Sequence, residues 1–597
     1  MHTACNLAVW KNGSDEPFFF ELNLIDCNQC SGLNYNNAIM AKAQSELTPL
    51  QRVSKLISFE KQDILLLIYL TIGYGFLGIA TPVAVQTMVN IVTMGGVLQP
   101  LYVVGFILFC LLALSGGIYA IESYLVELIQ RRIFVRSSML IAQNTQQIHI
   151  SVYDKNNPVE LVNRYFDIQT VQKSVATLLT IGLTALLQGL IGSIVLLFYS
   201  LYFGILVIIM LVVLWAIIFW LGKQAEGTAL QESKAKYNMA AWLENIARNK
   251  WLSKFYGAQQ RTVSHTEHLV HYYLGARSSH FRVLMAQLVS AVGMYAVIGT
   301  GMLVLGGTLV IKGQINLGQF VAAELIIFGV LSAFVRFITK LEYFYDLLAA
   351  VDKIGVLETL PLEESGQHHS NADGYHQLQV MDMSFSHHHQ TSLVNRLNFT
   401  LERGQSLAVL GALGSGKSTF LELITGLRQP EHGHLAYNGI DLRQLNLNHL
   451  RDRIGVANKL EWQQGTILEN LRLTRDDIEI EVIIDVLKML GLWEDISQLE
   501  RGIDTELTDY GAPMSYTQLQ RLMLARAIIG APDLMIIDGL LDGLAQHELD
   551  QVLTLLKRYE ADWMLIVTTR FKHIAQQFQQ VMVLETANGK TGSDDAK

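Results

Sequence analysis

The sequence predicts a multi-domain chain in which an all-α six-helix transmembrane domain is followed by an α/β domain. Three observations carry that reading. The chain has 597 residues, too many for one compact domain. Hydrophobic residues make up 51% and charged residues only 16%, the balance of a membrane protein. Six apolar stretches are each long enough to cross a bilayer, which takes about 20 residues, and beyond Pro361 the pattern changes to alternating strand and helix signals.

Residues 1–58 read as an N-terminal cytoplasmic tail. Within it, Cys27-Asn-Gln-Cys30 is a lone pair with no second pair at zinc spacing, so a metal or redox role is not expected. No basic segment followed by an apolar core marks a cleavable signal peptide, and Met40 is an alternative start. Cys110 lies inside an apolar stretch and is expected to be a small buried hydrophobe.

The transmembrane domain is placed at 59–345, with spans at about Ile64–Val85, Leu101–Ile121, Val175–Tyr199, Leu201–Leu221, Val283–Ile311 and Leu317–Ile338. The links after spans one, three and five are short and carry a single basic residue, Lys312. The other two links are long and basic, with Arg131, Arg132 and Arg136 in the first and Lys223, Arg248 and Arg261 in the second. By the positive-inside rule the long links face the cytoplasm, and so do both termini. The long links read as helical, so the spans are expected to continue into the cytoplasm before turning. The net charge of −9 argues against nucleic acid as a partner.

A linker is placed at 346–375, where Pro361-Leu-Glu-Glu-Ser-Gly-Gln-His-His is polar and rich in turn residues. Leu378–Phe385 alternates like a strand and opens the α/β domain, 376–586. A polar tail, 587–597, closes the chain.

Inside the α/β domain, Gly411-Ala-Leu-Gly414-Ser415-Gly416-Lys417-Ser418-Thr419 follows the apolar run Ser406–Leu410 and leads into Phe420–Thr425. This is the strand–loop–helix setting of a phosphate-binding loop. Its glycines let backbone N–H groups point at phosphate oxygens, and the helix N-terminus adds partial positive charge. Lys417 suits the terminal phosphates and Ser418 suits Mg²⁺, so ATP and Mg²⁺ are the expected ligands.

Six spans, two long cytoplasmic links and a phosphate-loop domain resemble a half-size exporter of the ATP-binding cassette superfamily, over about Leu47 to Leu584. The likeness is to the membrane ATPases of type I secretion and peptide export, with Gly465–Leu471 and Gln520–Ala527 as further landmarks. Only about sixty residues precede the first span, too few for the peptidase-like domain that some secretion ATPases carry. The resemblance implies a P-loop NTPase cassette and a homodimer or a heterodimer with another half-transporter. It also implies a bacterial inner membrane and membrane-fusion or outer-membrane secretion partners. In such dimers each ATP lies between the phosphate loop of one cassette and the Leu-Ser-Gly-Gly-Gln signature of the other.

Several positions depart from that pattern. The signature segment is Met514-Ser515-Tyr516-Thr517-Gln518, where both glycines are replaced by residues with side chains. Leu534-Met-Ile-Ile-Asp538-Gly539 keeps the aspartate that supports Mg²⁺ but has glycine where the family has its general base. Thr569 stands at the switch histidine, Asn458 or Lys459 at the metal-reporting glutamine, and Ala545 at the aspartate that couples the two sites. His387 corresponds to the aromatic residue that stacks on adenine. Losing a general base costs ~10²–10⁴ in rate, and losing charge-stabilising donors costs ~10²–10³. A degraded, pseudo-ATPase cassette is therefore expected, unless a neighbour such as Asp542 serves as base.

His368, His369, His376, His387, His388 and His389 crowd the start of the cassette without carboxylate or thiol at ligand spacing, so no metal site is expected there. Glu324, inside span six, is the candidate for lining a substrate path, because a carboxylate in a membrane helix costs ~2.5–3.5 kcal/mol and turns toward a cavity or partner. Glu122 lies at the cytoplasmic side of span two, and Arg336 reads as an interfacial anchor. Three functions fit: an exporter subunit for a peptide, protein or amphipathic molecule, a non-transporting membrane regulator that uses ATP as a ligand, and an active ATPase with unorthodox residues.

Overall fold

The structure, a computed structural model, describes residues 47–93, 98–154, 162–369, 374–386, 394–458 and 460–585. Two compact units result: residues 47–147 with 162–361, and residues 148–154 with 362–585. Cys27, Cys30, His387, His388, His389 and Lys459 lie outside the described residues.

The first unit is helical. Its six apolar helical stretches are Lys61–Thr93, Leu98–Gln147, Asn163–Tyr199, Leu201–Arg248, Ala258–Ile311 and Leu317–Leu357. Each contains one expected span, and four exceed the membrane's need by a wide margin. The fifth has 54 residues, which at 1.5 Å per residue is about 80 Å of helix. Where a linker was expected from residue 346, helix Leu341–Glu358 continues, because Leu347, Leu348, Ala350 and Val351 still have a core to fill.

Spans three to six share a core of Leu196, Phe203, Met210, Met302, Ile327, Leu331 and Phe334. Small residues set the helix separation: a Cβ on Gly189 would collide with the Phe334 ring, and one on Gly192 with Val330. Close backbone approach of this kind holds membrane helices together where lipid removes the hydrophobic drive. Before span two's long extension ends, Arg132 and Arg136 each reach the buried carboxylate of Glu60 at 3.0 Å, and Arg132 also reaches Asp63 at 2.6 Å.

Three polar or soft residues in the spans differ from expectation or refine it. Cys110 is exposed, not buried, because its stretch of Leu98–Gln147 turns its apolar side chains outward, as a lipid-facing helix must. Glu122 is the enclosed carboxylate, 2% exposed, with Thr71 beside it and one oxygen without a partner among the described residues. Glu324 is only half-buried, and Arg336 is exposed.

The second unit is α/β. A five-stranded parallel sheet runs in the order β11-β3-β10-β9-β6, with β3 at Ser406–Leu410, β6 at Ile454–Ala457, β9 at Leu534–Asp538, β10 at Met564–Thr569 and β11 at Gln580–Val583. Side chains alternate across it: Leu534, Ile536, Met564 and Ile566 fill one core, while Met535, Ile537, Leu565 and Val567 fill the other. Both faces are covered, so these strands read as unbroken apolar runs. A four-stranded antiparallel sheet, β2-β1-β4-β5, packs onto one core, with β1 at Gln377–Phe385, β2 at Val394–Glu402, β4 at His432–Tyr437 and β5 at Ile440–Asp441. Residues 148–154 belong to this unit, where Asp154 takes two hydrogen bonds from Arg428 at 2.8 and 2.9 Å. Among the described residues no group of three or more His, Cys, Asp or Glu side chains could hold a metal.

Candidate functional site

β3 lies between β10 and β11, with all but its last residue buried, and its C-terminal end delivers the phosphate loop. In register, Thr569 of β10 sits beside Leu410, and the Gly411 N–H donates to the Thr569 carbonyl at 3.1 Å. Gly414 at φ 78° and Gly416 at φ 88° take the left-handed conformation that a side chain resists. That turn brings the chain into helix Lys417–Ile424 with its first N–H groups facing the loop. A Cβ on Gly411 would crowd the Ser415 hydroxyl, which is buried and has no partner among the described residues.

Lys417 folds over its own loop, its ammonium donating to the carbonyls of Gly411 at 2.7 Å and Ala412 at 2.8 Å. Burial pulls its pKa down, while the carboxylates of Asp538 and Asp542 work against that fall. The Ser418 hydroxyl donates to Asp538 at 3.0 Å, and the Thr568 hydroxyl donates to the other Asp538 oxygen at 2.6 Å. Thr419 follows, half-buried. Glycine cradle, orphaned hydroxyl, lysine and a serine–aspartate pair fit a nucleotide phosphate with Mg²⁺ held by Ser418 and Asp538.

The positions that the resemblance assigns to hydrolysis are arranged differently. Gly539 follows Asp538 with φ 64°, and a Cβ there would meet nothing within 4 Å. No carboxylate occupies that position. Thr569 is fully buried, and its hydroxyl donates to Asp542 Oδ1. The second Asp542 oxygen accepts the Arg570 N–H at 3.1 Å and lies 3.6 Å from the Arg570 guanidinium. Asp542, the neighbour considered as a replacement base, thus has both oxygens engaged by groups of its own unit.

Ser515 caps helix Tyr516–Ile529: its hydroxyl accepts the Gln518 N–H at 3.3 Å, and the Gln518 carboxamide accepts the Ser515 N–H at 2.8 Å. Gln518 also donates to Asp495 at 2.8 Å. Tyr516, 66% exposed, is the first residue of the helix, and Thr517 stands 3.4 Å from the Ser515 hydroxyl. Ser-x-x-Gln before an apolar run is a capping box, a signal present in the sequence that a search for signature glycines passes over. Asn458 follows the end of β6, and Ala545 precedes helix Gln546–Arg558, its N–H taken by Glu548 at 3.2 Å. The structure brings together Gly411–Ser418, Asp538, Gly539 and Thr569 at one edge of the sheet. Ser515–Gln518 lie at the start of a separate helix.

Residues 394–540 match the family described as ABC transporter, and residues 64–334 match the ABC transporter transmembrane region. The chain belongs to the ABC transporters: an ABC transporter membrane region with six helices long and apolar enough to span a bilayer is followed by an ATP-binding cassette. Among its relatives, the leukotoxin translocation ATP-binding protein LktB of Mannheimia glucosida is 27% identical over 310 residues, which is 50% of this chain and 43% of that protein. The leukotoxin export ATP-binding protein LtxB of Aggregatibacter actinomycetemcomitans is 28% identical over 240 residues, 39% of this chain and 33% of that one. The aligned part thus spans less than half the length of these curated relatives. A solved bacterial Atm1-family ABC exporter with ATP bound shares the fold at TM-score 0.75, covering 89% of this chain and 94% of that one at 16% identity.

Proposed function

We propose that the protein is an exporter subunit that binds Mg-ATP through Gly411–Thr419 and Asp538 but turns it over poorly. The observation that carries the reading is the state of Asp542: each of its oxygens already accepts a hydrogen bond, from Thr569 and from Arg570, and Gly539 offers no carboxylate in its place. A general base must lie within hydrogen-bond reach of the proton that it takes. Lys417, the loop amides and Ser418 hold the phosphates and metal, and bound Mg²⁺ supplies charge neutralisation there. His387 is assigned to the adenine and Tyr516, Thr517 and Ser515 to the face met by a second cassette. Tyr516 obstructs that face, since its side chain stands exposed where close backbone approach is needed.

The working unit is a dimer, because one half offers only half of a membrane pathway. The bacterial inner membrane is the assigned location, with both termini in the cytoplasm by the charge of the long links. Relatives named for leukotoxin translocation and export support outward movement of a peptide, protein or amphipathic cargo with secretion partners. Glu324 is assigned to the cargo path. The engaged Asp542 also favours a second reading, a non-transporting regulator with ATP as ligand. ATP turnover tests the premise that both readings share: the purified protein should bind Mg-ATP yet hydrolyse it far below ~1 s⁻¹. Vigorous hydrolysis by the chain alone refutes the proposal. Cargo movement in vesicles separates the two readings: an exporter subunit moves cargo with a competent half-transporter, and a regulator does not.

A further inference from the structure

The Asp542 carboxylate lies beside the phosphate loop, joined to it through Thr569 and near enough to Lys417 for its charge to act on the ammonium. Thr569, whose hydroxyl it accepts, is joined through its carbonyl to the Gly411 N–H, and Gly411 in turn holds the Lys417 ammonium at 2.7 Å. Arg570, the nearest further cation, points its guanidinium at Asp542 rather than at the open side of the loop. The charged groups facing this edge are therefore Lys417 on the loop, Asp538 at the end of β9, Asp542 in the turn after it, and Arg570 after β10. Asp538 is engaged by Ser418 and Thr568, the arrangement that suits a metal ion. Asp542 is left to neutralise Arg570 and to occupy the Thr569 hydroxyl. Of the charged donors at this edge, Lys417 is held by the loop carbonyls of Gly411 and Ala412, whereas Arg570 is paired with a carboxylate.

We propose that Asp542 is a specificity determinant that makes this nucleotide site one for the diphosphate portion of a nucleotide, with no preference for a triphosphate. A nucleoside diphosphate needs the loop amides, Lys417 and the Ser418–Asp538 pair, all of which are available. A third phosphate brings added negative charge against the Asp542 carboxylate, which already accepts the Thr569 hydroxyl and pairs with the Arg570 guanidinium. The inference rests on the reading that this loop binds nucleotide, and it adds which nucleotide the site holds at equilibrium.

The test is equilibrium titration of the full-length protein in lipid discs with Mg-ADP and Mg-ATP, in wild type, Asp542→Asn, Arg570→Gln and Lys417→Ala. Wild type is expected to bind the two within about threefold of each other or to favour Mg-ADP. Asp542→Asn, which removes one charge and releases Arg570, should tighten Mg-ATP about tenfold while leaving Mg-ADP within about twofold, the scale of one unit charge a few ångströms away in a partly solvated site. Arg570→Gln leaves Asp542 unneutralised and should weaken Mg-ATP alone. A wild type that prefers Mg-ATP more than about tenfold, or an Asp542→Asn that shifts both nucleotides equally or neither, overturns the proposal. Mg-ADP affinity reports folding of Asp542→Asn and Arg570→Gln. Should Asp542→Asn fail to fold, the wild-type ratio and Arg570→Gln decide. If neither nucleotide binds wild type, or if Lys417→Ala binds both as wild type does, it is the nucleotide-binding reading that fails instead.

Discussion

Placing a carboxylate at Gly539 tests the proposed loss of hydrolysis most directly, and the structure sets two opposing terms for Gly539→Glu. There is room: a Cβ at 539 meets nothing within 4 Å, so the side chain can enter without displacing a neighbour. The backbone resists: φ is 64°, and a non-glycine residue in the left-handed region costs about 1–2 kcal/mol. For a unit of this size that strain lowers the unfolding temperature by about 2–8 °C. Gly539→Ala carries the same strain without a carboxylate and should fall equally, which isolates the backbone cost. A general base alone could return ~10²–10⁴ in rate if every other group were in place. Here Thr569 gives its hydroxyl to Asp542 and has no imidazole, and Tyr516 stands exposed at the start of the helix proposed to meet a second cassette. Residues acting as a unit are strongly non-additive, so the single change should recover little. Phosphate release under saturating Mg-ATP, with thermal unfolding in parallel, measures both terms. A combined Gly539→Glu, Thr569→His, Tyr516→Gly, Thr517→Gly variant should exceed the single change by far. A rate of ~1 s⁻¹ or more from Gly539→Glu alone would refute the reasoning, and an unfolding temperature unchanged from wild type would refute the strain.

Lys417→Ala should weaken Mg-nucleotide binding at least about tenfold in equilibrium titration, since it removes the only loop ammonium and a charged hydrogen bond is worth about 1.5–3 kcal/mol. Gly189→Ala places a methyl against the Phe334 ring and should destabilise the helical unit by about 1–3 kcal/mol, read as a lower unfolding temperature in detergent. Gly116→Ala, with nothing within 4 Å of its Cβ, should not. The purified chain should run as a dimer, with a mass near twice 66.8 kDa after subtraction of detergent; a uniform monomer in both detergent and lipid discs contradicts the assignment of the working unit.

Glu122 and Glu324 illustrate how differently two similar letters can be read. Hydropathy marks both as carboxylates near apolar spans, yet only packing tells that Glu122 is enclosed beside Thr71 while Glu324 is half-exposed. Cys110 has the same lesson in reverse: an apolar setting in sequence became an outward face, because a membrane span can meet lipid on the side where a soluble helix would meet core.

What the sequence determined by itself are the features written in consecutive residues. Hydrocarbon leaves a spanning backbone no partner but itself, so six uninterrupted apolar runs suffice to announce six helices. The phosphate loop is equally local: its glycines, lysine and serine are neighbours in the chain, and their chemistry survives any packing of the rest. What only the tertiary structure decided depends on residues that meet from afar. Thr569 and Arg570 reach Asp542 because β9 and β10 are adjacent parallel strands whose ends deliver their loops to one place. No spacing rule encodes that meeting, nor the left-handed turn at Gly539, since a glycine permits either hand and the surrounding chain chooses.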